Sequence, residues 1–181
     1  MRAEVPTAVV LCEDETILRE FPPLRARLGK AGEPVEVPIT GSNARRVVFG
    51  AFNPFTGPRV CRTTSRNTGP AFRTFLRAPR GRYTRWDLLL VLDRGSSHTA
   101  KATLALSAAL RITLAWLPTA CPELNPVPAL WRAGKQAVCA NRAYPDVDEQ
   151  ATRFTDHLLG LTNDEALRLA GLQPGNCWLT T

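Results

Sequence analysis

Five short apolar stretches rich in β-branched residues punctuate the chain: Thr7–Cys12, Arg46–Phe52, Arg59–Thr64, Asp87–Asp93 and Arg111–Leu117. Stretches of this length, bounded by turn residues, predict strands. The first ends in Glu13-Asp14-Glu15, with Thr16–Leu18 as a continuation and Pro22-Pro23 as its stop. Asn53–Gly57 joins the second and third as a hairpin, because proline presets φ and glycine accepts φ > 0. The uninterrupted apolar centre of Asp87–Asp93 suits a central strand covered on both faces. Residues 24–44 carry no period and several Gly and Pro, and read as loop. Apolar spacing predicts helices over Pro70–Ala78, with Phe72, Phe75 and Leu76 on one face, and over Thr99–Leu110. A third helix is capped by Asn125, has Pro126 at its first position and runs to about Ala140. Two more follow, Val147–Leu159 and Asn163–Ala170. Thr162 and Glu165 form a capping box for the last, and Gly171 stops it. The order β-β-β-α-β-α-β-α predicts an α/β fold with a mixed five-stranded sheet flanked by helices. The expected division is an α/β domain over 1–141 and a helical C-terminal tail over 142–181.

A length of 181 residues fits this single domain with a small appendage. Its 44% hydrophobic and 22% charged content suits a protein with a buried core. Arg111 breaks the longest apolar stretch, so no membrane span is expected. Ala8–Cys12 is too short for a signal peptide. Five cysteines without C-x-x-C spacing give neither a disulfide framework nor a zinc knuckle, and read as buried thiols of a reduced, cytosolic protein.

Charge changes the picture once it is located. The net +7 is concentrated between Glu36 and Asp87, a window with no acid and ten arginines. Arginine's planar fork matches phosphate oxygens, and a polyanion gains affinity at such a surface by counterion release. The competing reading is a protein that uses arginine for any solvated cation, which its mere three lysines support. Asp14 and Asp93 stand at the ends of the two strands expected to be central. Acids beyond neighbouring strand ends can converge as hard oxygen ligands for Mg²⁺ or Mn²⁺, the arrangement needed for two-metal phosphodiester chemistry.

Longer motifs surround both acids. Asp93 lies in Leu92-Asp93-Arg94-Gly95-Ser96-Ser97-His98. Further on come Leu117-Pro118, then Pro122-Glu123-Leu124-Asn125-Pro126-Val127, Leu130-Trp131 and Lys135. Together with Asp14-Glu15, Gly50-Ala51 and Thr56-Gly57, this set resembles the DDE transposases of bacterial insertion sequences related to the mariner group. The resemblance extends to Ala140–Tyr144 and Glu165–Gly171 in the tail. It implies an RNase H-like fold with the first three strands antiparallel and the first and fourth adjacent. It also implies a metal-dependent enzyme that hydrolyses DNA and transfers strands, with Asp14 and Asp93 as catalytic ligands of Mg²⁺ or Mn²⁺. DNA, as transposon ends and target, would be the partner, with a homodimer or a full-length transposase as possible protein partners. A bacterial, nucleoid-associated location without membrane contact goes with that reading.

The remaining site residues follow from this frame. Arg45, Arg46, Arg62, Arg66, Arg82 and Arg85 are the expected DNA contacts, with Tyr83 and Trp86 as neighbouring candidates. His98 either contacts the phosphate or a water, or sits half-exposed at the start of a helix. His157 is expected to be structural, and Trp131 core rather than a base-stacking platform.

Two positions depart from the family pattern. Its third acid, at N3 of the Asn125 helix, falls on Pro128, and its leucine or phenylalanine falls on Gly134, which reads as a lost core side chain. Proline fits the first turn of a helix, so the fold should survive while the metal loses a ligand. Three readings are open: Glu123 substitutes, the Asp pair keeps weak metal binding, or the copy is inactive and retained for binding. The family's helix-turn-helix modules have no counterpart ahead of the first strand, so DNA contact is expected to be mainly to phosphate.

Overall fold

A computed structural model describes residues 8–26, 28, 30, 36–37, 42–119 and 121–172. Part of the expected 24–44 loop and Cys177 therefore lie outside the described residues. The five strands are β1 (Ala8–Arg19), β2 (Arg45–Phe52), β3 (Arg59–Thr64), β4 (Asp87–Leu92) and β5 (Ile112–Trp116), in the order β3-β2-β1-β4-β5. β1 to β3 are antiparallel, while β4 and β5 run parallel to β1. This is the mixed sheet of an RNase H-like fold. The acidic run does not end β1. Glu13 to Arg19 continue as strand because β2 pairs with them, from Glu13 against Ala51 to Arg19 against Arg45.

Side chains alternate across this sheet. Leu11, Phe49 and Leu90 face a layer containing Phe72, Phe75 and Leu76. Cys12 and Val48 face the opposite layer, with Val127, Trp131, Phe154 and Leu158. Helices α1 (Gly69–Phe75) and α2 (Arg77–Arg82) supply the first layer. The second comes from α5 (Val127–Gly134), a π-turn at Lys135–Cys139, α6 (Val147–Gly160) and α7 (Asn163–Leu169). The C-terminal helices thus pack into the same core as β1.

Helix boundaries correct the sequence reading in three places. The stretch expected as one helix over Pro70–Ala78 divides at Leu76. Pro79 has no N–H for the carbonyl of Phe75, four residues back, so α1 stops there and α2 restarts. The Thr99–Leu110 helix begins earlier, as α3 (Ser96–Thr99). It breaks at Ala100, whose ψ is 136°, and resumes as α4 (Lys101–Ala109). At α5 the cap position is Pro126 and the first helical residue is Val127, which places Pro128 at N2. Asn125 still acts one residue upstream: its Oδ1 accepts from Val127 N at 3.1 Å and its Nδ2 donates to Glu13 O at 2.8 Å. The tail helices and the Thr162–Glu165 capping box form as expected, and Gly171 adopts φ +76°.

Two glycines hold the α5 layer close to its neighbours. Trp131 lies against Gly50, where a Cβ would overlap the indole Cη2. A Cβ on Gly134 would come within 2.8 Å of Phe154 Cε2 and 3.1 Å of Leu158 Cδ2. The missing large side chain at Gly134 therefore leaves no hole: Phe154 of α6 occupies the space. Reading it as a lost core residue is corrected.

Candidate active site

The register Cys12–Val91 between parallel β1 and β4, continued by two residues, sets Asp14 beside Asp93. Asp14 belongs by alternation to the α5 side of the sheet, whereas Asp93, one residue past β4, meets His98 on the α1 side. Asp14 Oδ2 accepts a 2.9 Å hydrogen bond from Trp131 Nε1. It opens on a cleft of about 360 Å³ lined also by Glu15, Pro128, Arg132 and Lys135. Burial, reinforced by Glu15 and less by Asp93, pushes the Asp14 carboxyl up to about 7 against the opposing pull of the Trp131 bond. Lys135, half-buried in the same cleft, is lowered by its own desolvation. Pro128 thus faces Asp14 with no carboxylate to offer. Glu123 is exposed in the short turn Pro122–Leu124 and is not among the residues lining this cleft.

Glu13 and Glu15 point to the opposite, α1 side. Here His98 is 1% exposed and packs on the Phe72 ring with centroids 4.4 Å apart. This corrects the half-exposed alternative for that residue. Its Nδ1 lies 2.8 Å from Asp93 Oδ1, and its Nε2 lies 3.9 Å from both Glu13 Oε2 and Glu15 Oε2. Burial, with Glu15, Asp14 and Asp93 adding repulsion, drives the Glu13 carboxyl well above the usual carboxylate range. Asp93 itself is 69% exposed and also accepts from Gly95 N at 2.8 Å.

The expected DNA-contact arginines fall into separate groups. Strand pairing sets Arg62 level with Phe49, hence with Glu15, while Arg45 and Arg46 lie level with Arg19 and Leu18. All are on the acid end of the sheet, and Arg66 follows β3 at that end. Arg82 and Arg85 precede β4, whose far end leads into Asp93, roughly 20 Å away at strand rise. Arg46 is held bidentately by Asp148 at 2.6 and 2.5 Å. The acid-free window of the sequence is thus not acid-free in space. Arg59 is buried and donates to the carbonyls of Leu158, Leu159 and Leu161, closing the C-terminus of α6. Arg80 likewise binds the backbone carbonyls of Leu110 and Trp86. Trp86 is exposed, whereas Tyr83 is part-buried under the Arg82 guanidinium. Trp131 is core, as expected, but also orients Asp14.

Sequence reading named no role for Glu13, Lys135 or the Trp131 indole N–H. The signal for Glu13 is strand alternation: residues 13 and 15 must share the face that Asp14 avoids. Among the described residues the four cysteines are free. Burial raises Cys12 and Cys139 to about 11 and Cys61 to about 12, so these three are inert thiols. No helix among the described residues is long and apolar enough to cross a membrane.

Solved structures share this fold. The Mos1 mariner paired-end complex with Mg superposes with a TM-score of 0.68 at 13% identity, covering 89% of this chain and 51% of that one. The catalytic domain of the Mos1 mariner transposase gives 0.62 at 12% identity, covering 91% and 76%. A simian T-cell lymphotropic virus intasome in complex with the PP2A regulatory subunit B56 gamma gives 0.55 at 12% identity, covering 94% and 49%. The chain spans about half the length of the Mos1 chains in the transposon-end complexes. No curated protein matches it in sequence. Residues 9–150, most of the chain and including Asp14 and Asp93, match the model of the DDE superfamily endonucleases: the chain belongs to that family.

Proposed function

We propose that this chain is the catalytic domain of an insertion-sequence transposase, impaired at its third acidic position. The observation that supports the reading is that Asp14 of β1 and Asp93, immediately after the neighbouring parallel strand β4, stand close enough to interact electrostatically in a DDE endonuclease fold. A buried Asp14 carboxyl raised by desolvation and by neighbouring acids belongs to a donor set that an oxygen-seeking dication neutralises, so the residues present fit Mg²⁺ or Mn²⁺. A bound dication would supply an activated water or 3′-hydroxyl and a stabilised leaving oxygen.

The chain's own residues do the remaining work. Trp131 fixes the rotamer of Asp14, and Gly50 lets the indole approach. Asp93 is steadied by Gly95 N and His98. With His98 enclosed, its part is to orient Asp93 rather than to touch phosphate directly. Arg62 and Arg66, free of the contacts that occupy Arg46 and Arg59, are the leading phosphate contacts, and Arg45 is a further exposed cation at that end. DNA is the partner in this reading, a second copy or a full-length transposase completes the assembly, and the location is the bacterial nucleoid. Pro128 in the Asp14 cleft favours a second reading, a DNA-binding remnant without catalysis.

The test is duplex-DNA binding across a salt series. Affinity should be nearly independent of sequence and fall steeply with salt, and Arg62→Ala with Arg66→Ala should flatten that slope by about 2. Binding that is absent at low salt overturns the reading. A slope unchanged by the double variant removes these arginines from the DNA face.

A further inference from the structure

The α1 side of β1 carries an arrangement that the Asp14–Asp93 reading leaves unused. Glu13 is enclosed, and among the described residues neither of its carboxylate oxygens has a hydrogen-bond partner; His98 Nε2, also enclosed, has none there either. Glu15 completes the group. Its Oε1 accepts from Asn67 Nδ2 at 2.6 Å, and its Oε2 faces His98. A carboxylate only accepts, so the 2.8 Å contact with Asp93 Oδ1 places a proton on His98 Nδ1. In the neutral imidazole, Nε2 then turns a lone pair toward two carboxylates. Among the described residues Glu13 and His98 Nε2 face Glu15 with no hydrogen bond joining them. Buried polar atoms left without partners are costly, and a dication at their centre would serve all three residues. Two carboxylates, a neutral imidazole and a dication sum to zero charge.

The geometry points to a divalent transition-metal site formed by Glu13, Glu15 and His98, with Asp93 as the carboxylate that orients the imidazole. One ligand atom from each residue lies within 4.8 Å of the others. Atoms sharing a cation at about 2.1 Å sit roughly 3–3.5 Å apart, so closure takes side-chain shifts of about an ångström or less. Glu15, the only partly exposed member at 22%, is the member able to make them and the side from which an ion enters. The Asp93–His98 contact is the carboxylate–histidine pairing that fixes ring orientation and raises ligand basicity at metal centres. An imidazole in the ligand set selects Mn²⁺ or Zn²⁺ over Mg²⁺. The site lies on the other face of β1 from Asp14 and shares only Asp93 with the proposed catalytic pair.

Electron spin-echo measurements on the protein loaded with Mn²⁺ alone test it. Wild type should bind a Mn²⁺ with ¹⁴N modulation from an imidazole, retained in excess Mg²⁺. His98→Gln should abolish the modulation, and Glu13→Gln should weaken Mn²⁺ binding at least tenfold. Asp93→Asn should keep the nitrogen signal while lowering affinity roughly 10–100-fold. Asp14→Asn should leave the nitrogen-coupled ion in place, whether or not any variant cuts DNA. Should Glu13→Gln or His98→Gln fail to fold, Glu15→Gln, nearer the surface, should show the same tenfold weakening. Bound Mn²⁺ without nitrogen coupling, or coupling that survives His98→Gln, overturns the site.

Discussion

The two faces of β1 treat neighbouring acids in opposite ways. On the α5 face, Asp14 has a designated donor in Trp131, a wall formed through Gly50, and a helix drawn in by Gly134. On the α1 face, one residue away, Glu13 is more deeply enclosed and has no donor among the described residues. The α5 face therefore gives its acid protein hydrogen bonds, and the α1 face leaves Glu13 with an unmet demand for positive charge. The position lost to proline belongs to the organised face. On the proposed reading Pro128 stands where a third acid would, while the packing that presents Asp14 is in place.

The comparison breaks first at Trp131. Trp131→Ala removes a buried indole and, among the described residues, the only side-chain donor to Asp14, and should cost about 3–5 kcal/mol in urea unfolding. A loss below 1 kcal/mol would mean the α5 face does not depend on it. Gly134→Leu should also destabilise, by about 1–3 kcal/mol, because the side chain enters space held by Phe154 and Leu158. A stabilising result would restore the idea of a vacated core position.

Smaller effects separate the acids themselves in metal-free protein. A carboxyl whose folded value lies above its unfolded value binds its proton more tightly when folded, so stability falls as pH rises between the two values. For Asp14 that window runs from 3.8 to about 7. Asp14→Asn should therefore stabilise at pH 8 by on the order of 2 kcal/mol, with the gain vanishing near pH 4. A pH-independent gain would assign the effect to packing. Glu13→Gln should stabilise the metal-free protein by about 1 kcal/mol, since an amide can donate to His98 Nε2 where a carboxylate cannot. With Mn²⁺ present the order should reverse. Thermal melts with and without the ion check both halves.

Much of the architecture was readable because its signals are local. All five strands show as short apolar runs, and the capping box and Gly171 stop mark α7 by side-chain chemistry alone. The break at Leu76 was missed, although Pro79 marks it locally. Asp14 and Asp93 stood out through the motifs around them. The rest depends on contacts across the sheet. Gly134 looked like a deficit because Phe154, twenty residues later, is what fills it. Arg46 looked free because Asp148 reaches it from the tail, and Arg59 because the α6 carbonyls are distant in sequence. Glu13 looked like a neighbour of Asp14, although alternation turns it toward His98.

The central claim is that the Asp14–Asp93 pair is a sound half of a nuclease site and that Pro128 is what disables it. Supercoiled-plasmid nicking in Mn²⁺ by wild type, Pro128→Glu, and Pro128→Glu with Asp14→Asn tests this most directly. Wild type should cut at or near background. Pro128→Glu, at N2 where an acid also favours the helix dipole, should raise nicking at least tenfold, and adding Asp14→Asn should abolish the gain. Wild-type cutting equal to that of Pro128→Glu, and lost in Asp14→Asn, would contradict a disabled third position and turn attention to Glu123.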